Sequence, residues 1–555
     1  MTPPDPTPPD SGDRLARLAD EYLAAMFAVY PTMAASLGLH EYDGQVQRFQ
    51  EKAIAARISQ LHSFADRLAA IPIAALEPDD VHDHHLLRLA AEEELFDLEV
   101  LRDVERNPMA YAGALDVSGY IKRNYAALDR RVRSLTEHLR RFPEVLAEAR
   151  GLLRPEVPQP FLDTAREVYE GMIEFHEGDL PSAVRPVGPG PVWEAFERAN
   201  AEARAALREF VRFMTDELQP RAVPGFAIGE ERFRTMLRLG EMVDLPLDRL
   251  LEIGREDLDR NAARLKEVTS RVAPGVPVRE VIRRQSRDHP AASRLVPEAA
   301  RVLDELHAFI EEHQLVSIPS DVPPRVEETP PFARWAFAMM DTAGPFETAS
   351  ESFYYVTPPE KDWPPEQAEE WLTKFDYATL RDVGIHEVYP GHYVHFLHMK
   401  HVSRRVRQVL TSYSLVEGWA HYCEEMMLDA GYGRTDPRFQ IAQLGEALLR
   451  NVRFIAAIEM HTRGMRVEDA ARLFVEHAHI EPLPAEKEAI RGTFDPGYLN
   501  YTLGKLMIRK LRDDLRARDG SRFSLRSFHD GLLAMGAPPV PLARRRLLGS
   551  EMSAL

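Results

Sequence analysis

Apolar residues recur at three- and four-residue steps early in the chain. Leu15, Leu18, Tyr22, Met26 and Tyr30 share one side of a helix, the spacing that buries a helical face. Similar stretches rich in Ala, Leu, Glu and Arg cover most of residues 50–150, 192–218 and 246–312. Alternating strand patterns are scarce, so the predicted fold class is mainly α. Three segments interrupt the helices. PSAVRPVGPGP (181–191) is too rich in proline and glycine to be regular and predicts a long connection. Residues 314–331 open with a β-like run, Leu315-Val316-Ser317-Ile318, and continue through several prolines. Ser352-Phe353-Tyr354-Tyr355-Val356-Thr357 is aromatic and β-branched and is closed by Pro358-Pro359, which predicts a strand.

That strand ends shortly before the stretch HEVYPGH (386–392). It predicts a small sheet beside the helix that carries those residues, with a free edge open to an extended peptide. A core strand with no substrate role is the plainer alternative. Tyr355, within this run, is a candidate support for the site or substrate contact.

A chain of 555 residues buries a large core and is long enough for two or three lobes. Its net charge of -19, from 69 basic and 88 acidic residues, argues against a nucleic-acid partner, because phosphate binding needs a concentrated basic face. The single cysteine, Cys423, excludes an intrachain disulfide and a cysteine-based metal cluster. The opening MTPPDPTPPDSGD has no signal-peptide pattern, and no run of about 18 apolar residues is present to cross a bilayer. A soluble, cytoplasmic protein without a membrane partner is expected, while a secretion route that leaves no sequence signal stays open.

HEVYPGH looks like the zinc-binding HExxH signature with Pro390 and Gly391 inserted before the second histidine. Four apart on a helix, two histidines diverge by only about 40° and face one ion; six apart, they diverge by about 120° and cannot. Pro390 lacks an amide hydrogen and clashes with the carbonyl four residues back, so the helix must kink or bulge there. Gly391 adds a residue free to take unusual dihedrals. A two-residue bulge is expected to return His392 toward His386, and these two are the candidate metal ligands.

Catalytic zinc sites add a third protein ligand and leave one position for water. Glu417, in Leu415-Val416-Glu417-Gly418-Trp419-Ala420-His421-Tyr422-Cys423-Glu424-Glu425, follows His392 at a distance that allows a turn and an adjacent helix. His421 is one turn beyond Glu417, and Glu424 one turn further, so both are candidate supports for the ligands or substrate contacts. Glu387, beside the first ligand, is the candidate general base. Ordinary core or surface histidines remain the alternative.

HEVYPGHYVHF followed by VEGWAHYCEE resembles the domain-of-unknown-function family 885, which carries HExxPGH and EGWAxYxE in this order. HTRGMRVEDAARLFVEHA (461–478), FDPGYLNYTLGKLMIRKLRDDL (494–515), FSLRSFHDGLLAMGAPPVPLARRRLLG (523–549) and LGLHEYDG (37–44) resemble the same family, so the likeness spans nearly the whole chain. The resemblance implies a glutamate-type zinc peptidase related to carboxypeptidase Taq, angiotensin-converting enzyme and thimet oligopeptidase. It further implies a large helical, two-lobed fold with a deep central cleft. His386, His392 and Glu417 are then the ligands of one zinc ion per chain, and Glu387 is the base. Those relatives have an uninterrupted HExxH, so the equivalence of His392 rests on the Pro390–Gly391 break.

Such a peptidase needs a donor for the oxyanion, and family motif positions offer Tyr501 first, with His461 and Arg491 behind it. The expected organisation is a disordered Pro-rich tail (1–12), an N-terminal helical lobe (13–312) and a metal-binding catalytic region with the small sheet and C-terminal helices (313–555). The expected function is zinc-dependent hydrolysis of amide bonds in short peptides. A metal-dependent amidohydrolase of a non-peptide small molecule and a non-catalytic peptide- or partner-binding protein are the alternatives.

Overall fold

Helices make up nearly all the regular structure, as the three- and four-residue spacing requires. The computed structural model describes residues 11–330, 334, 337–349, 351–360, 362–549 and 554–555. Most of the expected tail therefore lies outside the described residues, while Ser11 and Gly12 already belong to the first helix, Ser11–Val29. That helix buries Leu15, Leu18, Tyr22 and Met26, the stripe its sequence spells out. No helix among the described residues is long and apolar enough to cross a membrane.

The chain divides into two compact units, Met1–Pro224 with Arg404–Leu410, and Gly225–Ser403 with Thr411–Leu555. In the first, helix Pro191–Phe213 packs against helices Leu128–Leu139, Phe142–Leu152 and Gln159–Glu177. The short segment 404–410 joins this unit through charge: the buried Arg407 guanidinium bonds the Asp83 carboxylate and the Asp79 carbonyl on helix Pro78–Phe96.

In the second unit, helix Leu247–Val272 lies along helix Pro437–Thr462, and helix Tyr413–Asp429 along helix Asn500–Asp519. Buried polar groups tie these four together. Lys505 Nζ reaches Asp257 at 3.1 Å and Glu425 at 3.9 Å, Asn451 donates to Asp257 at 2.9 Å, and Asn261 donates to Asn451 at 2.8 Å. Helices between residues 225 and 312 pack against C-terminal helices within this second unit.

Two expectations are corrected. Residues 181–191 are mostly helical: helix Asp179–Val184 runs into a tight turn at Arg185–Val187, and Pro191 opens the next helix, where its missing amide costs nothing. Only residues 188–190 connect them, with Gly188 (φ 79°) and Gly190 (φ 142°) in backbone regions that suit glycine. Leu315–Ile318 is not a strand. Its backbone is satisfied by side chains, the Ser317 amide donating to Asp530 at 2.8 Å and the Leu315 carbonyl accepting from His529 at 2.7 Å.

The strands are β1 (Arg325–Glu328), β2 (Ala338–Asp341) and β3 (Phe353–Val356), in the order β1-β3-β2. β3 runs parallel to β1 and antiparallel to β2. All four β3 residues are buried, which suits a central strand of continuous apolar character. The free edge expected on β3 is therefore absent; the edges belong to β1 and β2.

Candidate metal centre

The helix Tyr377–Glu387 starts on Asp376, whose side chain accepts from the amides of Ala378 and Thr379, and it stops at Glu387. A second helix, His392–His401, starts after four intervening residues. Between them the Tyr389–Pro390 bond is cis, and the Gly391 amide donates back to the Ile385 carbonyl at 2.9 Å. The expected bulge within one helix is thus a break between two. A Cβ on Gly391 would stand 1.8 Å from the His386 carbonyl oxygen, so only glycine fits the return. Trp419 Nε1 donates to the Pro390 carbonyl at 3.0 Å, which ties this loop to the next motif. The outcome is that the His386 and His392 rings lie 4.9 Å apart and nearly perpendicular.

Glu417 reaches them from helix Tyr413–Asp429. The glycine after it, Gly418, lets that helix touch helix Asn500–Asp519 backbone to backbone. A Cβ on Gly418 would meet Gly504 Cα at 2.5 Å, and one on Gly504 would meet the Ser414 carbonyl oxygen at 1.8 Å. The buried Glu241 carboxylate accepts from the Ser414 amide at 3.2 Å and from the hydroxyls of Ser412 and Ser414, holding the start of the Glu417 helix.

Glu417 Oε2 stands 3.6 Å from His386 Nε2 and 3.3 Å from His392 Nε2. Two ligand atoms about 2.1 Å from a tetrahedral ion lie about 3.4 Å apart, so these separations fit a shared ion and are long for direct hydrogen bonds. The buried Glu417 Oε2 has no hydrogen-bond partner among the described residues. Among the described residues, His386, His392 and Glu417 form the one group of three or more His, Cys, Asp or Glu side chains with ligand atoms within 4.8 Å of one another.

The surroundings orient this trio. His386 Nδ1 donates to Glu424 Oε1 at 2.7 Å, which leaves the Nε2 lone pair facing Glu417. Burial pushes the His386 imidazole down, but the carboxylates of Glu417 and Glu424 outweigh it and hold it up to about 10. Burial likewise pushes Glu417 up, and the facing His392 and His386 outweigh that and keep it well below the usual carboxylate range. A proton and a cation therefore compete for His386 Nε2.

Glu424 is buried between His386 and His421, whose Nδ1 donates to its other oxygen at 2.9 Å. His421 thus meets Glu424 rather than the trio, and burial drives its imidazole down to about 3. Arg450, buried on helix Pro437–Thr462, lies 3.4 Å from Glu424 and 2.6 Å from Glu446. Asp382, one turn before His386, is held well above its ordinary range by burial first and by Glu424 and Glu446 next.

Glu387 Oε2 accepts from the main-chain amide of Met340 on β2 at 3.1 Å, so the sheet does stand beside the His386 helix. Tyr501 is brought to the site: its ring lies over His386 at 6.4 Å and 21°, and edge-on to Tyr413 at 5.8 Å. Arg491 accompanies it, 5.9 Å from the Tyr501 ring, donating to the Tyr413 hydroxyl at 3.1 Å and to Asp495 at 2.9 Å.

Two expected residues are placed elsewhere. His461 donates to the Gly492 carbonyl at 2.7 Å and packs against Phe226 and Phe233. Eleven residues separate it from Arg450 on one helix, about 16 Å along the axis. Tyr355 stacks on Phe353 at 5.4 Å and 3°. Its neighbour Tyr354 points to the opposite face, fully buried, close enough for the Glu387 charge to raise its hydroxyl after burial has done so. His395 and His398 donate to the carbonyls of Gly536 (3.2 Å) and Ser317 (2.8 Å), away from the trio.

Arg450, Asp382 and Tyr354 were not among the sequence candidates. For Arg450 the signal is Glu446, Arg450 and Arg453, spaced as one charged face of a helix rich in apolar residues.

Two solved structures share this fold. One, described as "a putative lipoprotein of unknown function" from Shewanella oneidensis, is 23% identical with a TM-score of 0.81, covering 96% of this chain and 99% of its own. The other, described as "the putative lipoprotein" from Colwellia psychrerythraea, is 16% identical with a TM-score of 0.82, covering 97% and 98%. At these identities the likeness is one of fold alone. No curated protein matches the chain. Residues 31–547 match a family described as bacterial protein of unknown function, and the chain belongs to that family, DUF885.

Proposed function

We propose that this protein is a zinc-dependent hydrolase that cuts amide bonds in short peptides. One observation carries the proposal: His386 Nε2, His392 Nε2 and Glu417 Oε2 have the separations of ligands around one tetrahedral ion. Two imidazoles and a carboxylate leave a fourth position open, the pattern of catalytic rather than structural zinc. An ion held there supplies Lewis acidity and brings the pKa of a water near neutral.

The remaining chemistry falls to the chain. Glu387, whose Oε2 faces Met340, takes a proton from the attacking water on Oε1 and passes it to the leaving amine nitrogen as the C–N bond breaks. Tyr501 is the donor for the carbonyl oxygen as it gains charge, with Arg491 behind it. Glu424 keeps His386 turned with Nε2 inward, and Arg450 keeps Glu424 ionised. An extended substrate running along the β2 edge brings its amide past Glu387, which favours peptides over compact amides.

The test is a zinc-loaded preparation offered a mixed library of short peptides and a panel of small non-peptide amides. New peptide amino termini, lost on chelation and restored by zinc, are expected. Turnover confined to the small amides would make the protein an amidohydrolase of another substrate class. Turnover of neither would contradict the proposal in favour of a binding protein.

A further inference from the structure

The small sheet has a use beyond packing. β2 is an edge strand, and its partner on the inner side is β3, with Met340 opposite Tyr354. In an antiparallel pair, amides along a strand alternate between pointing at the partner and pointing away. The Met340 amide points away from β3 and ends on Glu387 Oε2 at 3.1 Å. Behind it Tyr354 is 1% exposed, so the strand that offers this amide rests on a buried neighbour.

We propose that the main-chain amide of Met340 is a positioning group for Glu387. A carboxylate at the end of a helix rotates about its last bonds unless something holds it. One hydrogen bond to a strand backbone fixes the plane of the carboxylate and commits one oxygen, so the other faces the reacting water in a single orientation. The sheet thereby sets the angle at which the proton is collected, without itself touching the substrate's reacting atoms. Misplacing a reacting group by about 1 Å costs on the order of a hundredfold in rate.

Two measurements test this, and only the second rests on the hydrolase reading. First, with methionine amides selectively labelled with nitrogen-15, E387A should speed hydrogen exchange at Met340 at least tenfold and leave Met339 unchanged. Second, M340P removes the donor at an outward-facing edge position that tolerates proline, whereas M340A keeps it. The kcat of M340P on the best library peptide should fall at least tenfold below that of M340A, with KM within threefold and the bound metal per chain equal. Unchanged exchange in E387A, or equal kcat in the two Met340 variants, would overturn the proposal. Accelerated exchange in a protein that hydrolyses no amide would leave the contact standing and refute the hydrolase reading instead.

Discussion

Glu387→Gln should reduce amide hydrolysis by a factor on the order of 10²–10⁴, the contribution of a general base, while zinc content stays at that of the parent. The substitution is nearly isosteric, and the amide oxygen of glutamine still accepts from Met340, so the local geometry is retained. What is lost is the ability to bind a proton between the attacking water and the leaving nitrogen. None of the three proposed ligand atoms belongs to residue 387, so the metal site should survive. Parallel measurement of kcat and of metal per chain separates the two effects. Undiminished turnover in this variant would remove Glu387 from the mechanism.

The second large effect is expected at a residue that has no side chain. Gly504→Ala places a methyl 1.8 Å from the Ser414 carbonyl oxygen and 2.8 Å from Gly418 Cα. Both neighbours are backbone, so no side chain can swing aside, and helices Tyr413–Asp429 and Asn500–Asp519 must separate. Overpacking of this kind costs about 1–3 kcal/mol where some relief exists, and more where it does not. Glu417 stands one residue before Gly418, and Tyr501 one turn before Gly504. Separation therefore pulls a carboxylate from the two histidines and a ring from above His386. The variant should show a lowered thermal midpoint together with weakened zinc affinity, read by calorimetry and by competition with a chelator. A surface change such as Arg518→Ala on the same helix should do neither.

These consequences also show which parts of the molecule the sequence announces. The helical stripe at Leu15, Leu18, Tyr22 and Met26 is legible because period and burial are local properties of one helix. Pro390 and Gly391 announce an interruption, since one lacks a donor and the other lacks a Cβ. The form of the interruption is another matter. Whether the chain bulges or stops and restarts depends on Trp419 reaching the Pro390 carbonyl from a different helix, a contact that only the fold supplies.

The same limit explains the other departures. The run 353–356 reads as a strand, but its place at the centre of the sheet depends on β1 and β2, whose own sequences, Arg325–Glu328 and Ala338–Asp341, carry little strand character. His461 and Arg491 look alike as polar residues in C-terminal motifs. Packing turns the first into a hydrogen-bonded neighbour of Phe226 and Phe233 and leaves the second beside Tyr501. The face Glu446, Arg450 and Arg453 marks Arg450 as a charged position, but not what it faces. Its meaning comes from Glu424, which is buried and bonded to His386. Conversely, the spacing of Glu417, His421 and Glu424 suggested supports in sequence order, and the geometry reverses that order. Glu424 bonds His386, and His421 bonds Glu424.

The most direct measurement is metal content. Protein purified without chelator and then dialysed against zinc should carry one equivalent per chain by elemental analysis, and the joint variant H386A/H392A should carry none. Zinc absent from the parent chain, or bound equally by parent and double variant, would mean that the two imidazoles and the Glu417 carboxylate do not share an ion.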